Sequence, residues 1–527
     1  MEQALLSGNE AIARAAHDAG VVMGTGYPGT PSTEILEVFS ALGGRAQWAP
    51  NEKVALEVAI GVAFCGAPAL AAMKHVGVNV AADPFFSVAY TGTPGALLIV
   101  SADDPGMHSS QNEQDNRRYA LMAGMVMLEP SDAQESYAMT RLGLELSALW
   151  RTPVMLRTTT RVCHSKSIVI TQAPAPPPPV AHYERDIAGR VMIPAHARPT
   201  HRRMRERLAA AQAWNDAEGP NRLIPGSPSL GIITSGVAYA HAREAAPDAS
   251  FLKLGMTYPL PLETVRRFAA SVTRCVVIEE GDPYLVEALR TAGIAVEGKP
   301  DMYRFGELNV GRVRRILAGD TSPETPPPPG KPPQLCAACP HRGAFAVLRR
   351  LECIVAGDIG CYTLGALPPL RAMDTQLCMG ASIGMGLGMR HVLPETEARR
   401  VVSVIGDSTF VHSGLTGLAE MVYNPPPTGH VVVILDNGTT AMTGMQEHPG
   451  TGRTLTHAPT GRVVFEEVAR AMGIQRVYVV DKPIRFADVL EECLASGELA
   501  VIIMRAPCRL LKPRPSARAD AEGACDG

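Results

Sequence analysis

The stretch from Val401 to Gly444 limits the possible folds more than any other. Two apolar runs, 401–405 and 431–435, read as buried strands. The first stops at Gly406-Asp407-Ser408 and the second at Asp436-Asn437-Gly438. The span 409–435 is long enough for one crossover helix and the second strand, which predicts a parallel pair. Both polar clusters then sit at carboxyl ends of strands, where open α/β sheets bind ligands. An Asp and an Asn with a nearby backbone carbonyl are hard oxygen ligands, suited to a divalent cation that also holds phosphate oxygens. The competing reading is an ordinary βαβ unit whose Asp caps a helix and whose Asn-Gly makes a turn.

A chain of 527 residues has room for roughly three to four domains with separate cores. Its net charge of −3 gives no sign of a nucleic-acid or membrane-surface partner. No uninterrupted apolar run approaches the length of a bilayer span, so no transmembrane helix is expected. The amino-terminal stretch carries acids and a helical period, not a basic segment followed by an apolar one. No signal peptide is read there, and a cytoplasmic location is expected. The 11 cysteines of a large intracellular chain are isolated core thiols or metal ligands, not a disulfide framework.

Residues 1–20 read as a helix ended by Gly20. A strand at 21–23 then enters Gly24-Thr25-Gly26-Tyr27-Pro28-Gly29-Thr30-Pro31-Ser32, a loop of small residues that opens a helix. Its amides can receive an anion or carboxylate, although its glycine spacing is not that of a nucleotide fingerprint. Glu52 precedes a small-residue helix at 54–63, where taken alone it reads as a solvated first-turn charge. Glu57 is its rival within the helix. Met73-Lys74-His75-Val76-Gly77 ends a strand, and 97–100 and 154–157 form others. The polar run 108–117 is either a surface loop or a pocket lining. A proline run at 173–180 is a stiff linker, and the segment to about 225 is basic and helix-prone. Another α/β unit opens at 230–236 and continues through strands at 251–254 and 275–278. A second proline run, 325–333, precedes a third unit, and the tail is expected to be disordered.

The stretches GYPGTPSTEI, NEKVALEVA, MKHVGVNVAADP, DDPGMHSSQNEQDNRRYA, LKLGMTYPLP, CPHR, GDIGCYTLG, MGASIGMGLGM and GDSTFVHSG occur in one order from about residue 5 to 510. Together they resemble the large subunit of indolepyruvate:ferredoxin oxidoreductases, a branch of the 2-oxoacid:ferredoxin oxidoreductases. The resemblance implies an α/β chain of three thiamine diphosphate (ThDP)-enzyme-type parallel-sheet domains. These are a pyrimidine-binding domain at 1–165, a transketolase-C-terminal-like domain at 226–320 and a pyrophosphate-binding domain at 334–510. Residues 166–225 become a linker and 511–527 a disordered tail. By the same resemblance Glu52 is the catalytic carboxylate that hydrogen-bonds the aminopyrimidine of ThDP. Asp407, Asn437 and the Thr439 carbonyl hold Mg²⁺, and Gly380, Gly406, Ser408 and Thr409 line the diphosphate. Thr30 receives the 2-oxoacid carboxylate, and His75 and Gln111 complete the substrate site. Relatives acting on small oxoacids carry an arginine near Gln111, so its absence fits a larger aryl side chain.

The pair Cys336-Ala337-Ala338-Cys339, with Cys361 and Cys508, can close a four-thiolate site. A structural zinc, a redox CxxC and plain buried thiols are the alternatives. The resemblance implies one [4Fe-4S] cluster, with Ala-Ala replacing the Pro-Gly common in relatives. Relatives continue into a ferredoxin module with two CxxCxxC runs, whereas only Cys525 follows Cys508 here, so an external acceptor is expected (ferredoxin or another carrier). The implied activity is oxidative decarboxylation of an aryl 2-oxoacid such as indolepyruvate or phenylpyruvate, giving aryl-acetyl-CoA and CO₂. A non-oxidative ThDP-dependent decarboxylase and a non-catalytic scaffold subunit are the rivals. The implied partners are coenzyme A, a small gamma-type (beta) subunit and a second large subunit.

Overall fold

The computed structural model describes residues 2–178, 180–325 and 333–511, and the chain forms two compact units, 1–326 and 327–527. In the first, a seven-stranded sheet has the order Ala46–Trp48, Met23–Gly26, Ala69–Lys74, Leu97–Asp103, Val154–Thr159, Val126–Leu128, Met256–Tyr258. Every pairing is parallel except the last. Its central strands are buried along their whole length, which is why they read as continuous apolar runs rather than alternating ones. From Met23–Gly26 the chain moves outward to Ala46–Trp48, then crosses back to Ala69–Lys74 on the other side. That reversal makes the tips of Met23–Gly26 and Ala69–Lys74 a topological switch point, where such sheets open a crevice.

The expected helix over 1–20 is corrected by the structure. Glu2–Ser7 is a strand paired antiparallel with Lys166–Thr171, and the helix is Gly8–Asp18. Ser7 is the reason. Its side chain accepts the Glu10 N–H while the Glu10 carboxylate accepts the Ser7 N–H, a capping box that starts the helix after Ser7. Leu6 and Val169 then pack on Ala11, Ala15 and Tyr137, so tertiary burial overrides local helix propensity upstream.

The stretch 166–225 holds that second strand and a 24-residue helix, Pro194–Ala217. The helix packs into the unit. Asn215 donates to the carbonyls of Met256 and Pro259, and Arg207 to those of Ala89 and Arg151. A four-stranded sheet follows in the order Arg274–Ile278, Ser227–Ser235, Ala249–Leu254, Arg222–Ile224. A buried cation, Arg117, ties it to the loop after Leu97–Asp103. Arg117 donates to Asp115, to Glu279 (2.7 Å) and to the carbonyls of Glu280 and Asp282, while Arg157 holds Asp103 and Glu129.

The second unit is a five-stranded, all-parallel sheet in the order Ile354–Ala356, Val401–Gly406, His430–Asp436, Leu499–Arg505, Arg476–Val480. Gly406 lies opposite Leu435, so Asp407 and Asp436-Asn437 leave the sheet side by side. A π-helical turn, Phe410–Gly414, follows Asp407–Thr409; such turns recur at functional sites. The second proline run and the expected tail fall, apart from Thr325, Pro333 and Leu511, outside the described residues.

Candidate active site

In the second unit, Asp407 is buried at the tip of Val401–Gly406. One carboxylate oxygen accepts the Ser408 N–H (2.9 Å), and the other accepts the Gly438 N–H (2.7 Å). The turn after His430–Asp436 thus wraps onto Asp407, with Gly438 at φ +74° supplying a left-handed conformation that favours glycine. His448 Nε2 stands 3.3 Å from Asp407 Oδ2. Because His448 Nδ1 accepts the Gly450 N–H, the proton of a neutral ring is on Nε2, facing the carboxylate. Burial raises the Asp407 pKa, but His448 and the two amides outweigh it and hold the carboxylate below its usual range.

Asn437 Oδ1 accepts the Thr439 N–H (3.0 Å), and Asn437 Nδ2 lies 3.3 Å from His341 Nε2. Burial pushes the His341 imidazole down to about 4, so it stays neutral and its Nε2 can accept from the amide. The Thr439 N–H, which can only donate, marks the end of Asn437 that is oxygen. Ser408 accepts from Thr440 Oγ1 (2.9 Å), and Thr409 Oγ1 donates to the Ile359 carbonyl. The Gly406 N–H is taken by Tyr362 Oη, and a Cβ at Gly406 would come within 2.7 Å of that ring. Buried Asp358 accepts the Gly380 and Ser382 amides, closing the start of the helix Ala381–Val392. Gly380 therefore contributes its bare α-carbon, at φ +88°, beside Ser413. The donor set of a carboxylate and an amide oxygen, both buried at adjoining strand tips, fits Mg²⁺ chemistry.

The four sequence-distant cysteines meet in the same unit. Cys336, Cys339, Cys361 and Cys508 line one cavity of about 100 Å³, whose wall also includes His341 and Asn437. The Cys508 N–H donates to the Asn437 carbonyl (3.0 Å), and Arg342 pins the Leu335 and Cys336 carbonyls. Burial and the other three thiols push Cys361 up to about 11, and burial with Cys336 and Cys508 raises Cys339. Crowded thiols that resist ionisation next to one another are what a bound cation relieves. Among the described residues, no three His, Cys, Asp or Glu side chains are drawn together closely enough to hold an ion as they stand.

In the first unit, Glu52 opens the helix Glu52–Phe64 and is 4% exposed, its carboxylate against Gly77, where a Cβ would come within 2.6 Å of Oε1. Its rival Glu57 is on the surface, paired with Lys53. Thr30 is half-buried on the loop leaving Met23–Gly26. His75 is fully buried, with Nε2 3.2 Å from the Asn112 carbonyl, so its ring anchors the 108–117 loop. Gln111 is exposed on that loop. Sequence reasoning assigns no role to Lys74, His341, Asp358 or His448. The first three stand inside quoted motifs, but only the fold shows what their side chains touch.

Residues 14–204 match the model described as pyruvate flavodoxin/ferredoxin oxidoreductase, thiamine diphosphate-binding, and residues 358–504 match the thiamine pyrophosphate enzyme C-terminal TPP-binding domain. Indolepyruvate oxidoreductase subunit IorA of Archaeoglobus fulgidus is 39% identical, over 98% of this chain and 88% of its own length. The chain belongs to the IorA family. The IorA proteins of Methanothermobacter thermautotrophicus and Thermococcus kodakarensis are 39% and 38% identical, each over 97% of the chain. The fold also aligns with 2-oxoglutarate:ferredoxin oxidoreductase from Magnetococcus marinus at TM-score 0.51 and 17% identity, over 60% of this chain and 65% of that one. As an IorA-family member, the chain is a thiamine diphosphate-binding oxidoreductase subunit of the 2-oxoacid:ferredoxin oxidoreductase superfamily. No helix among the described residues is long and apolar enough to cross a membrane.

Proposed function

We propose that this chain is the large subunit of a cytoplasmic enzyme that oxidatively decarboxylates an aryl 2-oxoacid of the indolepyruvate or phenylpyruvate type, giving aryl-acetyl-CoA and CO₂. Asp407, Asn437 and the Thr439 carbonyl would hold Mg²⁺, with Gly380, Gly406, Ser408 and Thr409 around the diphosphate. Glu52 would hold the aminopyrimidine end, and Thr30, His75 and Gln111 would serve the substrate. ThDP supplies the electron sink that makes loss of CO₂ from a 2-oxoacid feasible. Cys336, Cys339, Cys361 and Cys508 would hold one [4Fe-4S] cluster, which carries single electrons toward an external acceptor. A gamma-type partner subunit and a second large subunit complete the proposed heteromer. The three sheet-bearing segments, 1–165, 226–320 and 334–510, are assigned as the pyrimidine-binding, transketolase-C-terminal-like and pyrophosphate-binding domains.

One observation carries the oxidative reading. The four cysteines line the same cavity as Asn437, and Cys508 is hydrogen-bonded to its backbone. A non-oxidative decarboxylase has no use for four thiols beside the metal ligand. The test is product analysis of the anaerobic complex given phenylpyruvate or indolepyruvate, CoA, ThDP and Mg²⁺. Acyl-CoA formed in step with reduction of a viologen dye or ferredoxin is expected. Arylacetaldehyde with no acceptor reduction would replace this reading with the lyase, and no turnover would favour the scaffold.

A further inference from the structure

Lys74 is the last residue of Ala69–Lys74, at the switch point of the first sheet, and its side chain is 9% exposed. Its ammonium has three donors, and one of them meets the Ser109 carbonyl at 2.8 Å. Among the described residues it makes no ion pair, although Glu52 and Asp104 are near enough for their charges to act on it. Its methylenes lie against Gly29, where a Cβ would come within 3.1 Å of both Cγ and Cδ, so the Gly29-Thr30 turn rests on the lysine stem. A buried ammonium with spare donors and no direct ion pair can offer those donors to an anion.

We infer that Lys74 binds the carboxylate of the substrate, acting with Thr30 at the switch point as the cationic half of that subsite. Glu52 and Asp104, whose charges already act on the ammonium, disfavour a multiply charged anion such as a phosphate, so a single carboxylate is the anion this subsite would take. Lys74 then also explains how a chain with glutamine in the 108–117 loop still meets an oxoacid with a positive charge: the cation comes from the neighbouring strand. Asp104 accepts the Ser109 N–H and Ser110 Oγ, which fixes the loop whose carbonyl holds the ammonium in place. The inference rests on the 2-oxoacid reading above.

The test compares wild type, Lys74→Met and Lys74→Arg in the complete complex. It measures KM for phenylpyruvate, ThDP-Mg²⁺ affinity by calorimetry, and binding of the isosteric pair 3-phenylpropionate and 3-phenylpropanamide. Charge-assisted hydrogen bonds of this kind predict a roughly tenfold to hundredfold rise in phenylpyruvate KM, and a matching loss of 3-phenylpropionate affinity, in Lys74→Met. The amide and ThDP should bind as before, and Lys74→Arg should recover part of the loss. Equal losses for acid and amide would show a role in loop structure only, weakened ThDP binding would make Lys74 a cofactor residue, and an unchanged KM would remove it from the site. Each of these overturns the inference while leaving the oxidoreductase reading intact. A wild-type complex that binds 3-phenylpropionate yet turns over no aryl 2-oxoacid would overturn the activity instead.

Discussion

Glu52 and Asp407 are both buried carboxylates on ligand-binding domains, yet their surroundings prepare them for opposite work. Asp407 is held ionised by two amides and His448, as its proposed role of metal ligand requires. Glu52 sits at a helix start with its carboxylate against the bare α-carbon of Gly77. The two substitutions should therefore separate. Glu52→Gln keeps the shape and is expected to bind ThDP as wild type does while losing turnover by about a hundredfold or more, the order associated with a positioned proton-transfer group. Asp407→Ala is expected to lose Mg²⁺-dependent ThDP binding, as read by calorimetry. Near-normal activity in the first, or unchanged affinity in the second, would contradict these roles. At this scale the sequence showed residue types but not their partners. Asp407 and Asn437 were legible because each follows a buried apolar run. His448 and Lys74 were not, because nothing adjacent in sequence announces what their side chains meet.

Among the elements, the strands 401–405 and 431–435 were legible to within a residue, since a strand buried on both faces leaves a continuous apolar run. The amino-terminal strand was not, because Glu2–Ser7 is a strand only through pairing with Lys166–Thr171, at the far end of the first α/β segment. The buried ionic tie between Arg117 and Glu279 was equally invisible. Next to it, Glu280 gives one carboxylate oxygen to the Leu308 N–H and leaves the other without a partner. Burial pushes its carboxyl up to about 7, despite Arg157 and Lys299, and Glu307 adds to the rise. In the unfolded chain it titrates near 4.5. Between those values the folded protein keeps a proton that the unfolded chain has lost, so stability from this group falls as pH rises through the window and stays lost above it. The full difference is worth about 3 kcal/mol. Glu280→Gln is expected to flatten the fall in Tm between pH 5 and 8 and to be the more stable protein at pH 8. Parallel Tm profiles for the two proteins would contradict this.

For the whole molecule, the reaction type turns on whether electrons leave singly. Sheet topology and the family relationship establish a ThDP-binding oxidoreductase subunit, and the sequence already showed four cysteines in suggestive motifs. It did not show that Cys508 would hydrogen-bond to the Asn437 backbone, which depends on the strand Leu499–Arg505 lying beside His430–Asp436. ThDP with Mg²⁺ should raise the Tm of the complex, since ligand at a hundredfold over Kd stabilises by about 2.7 kcal/mol. The most direct measurement is iron and acid-labile sulfide in anaerobically purified complex, with a Cys361→Ser variant alongside. Roughly four iron and four sulfide per large chain, beyond any held by the partner, are expected, with their loss in the variant. Colourless wild-type protein without iron, or the same iron content in both proteins, would contradict this.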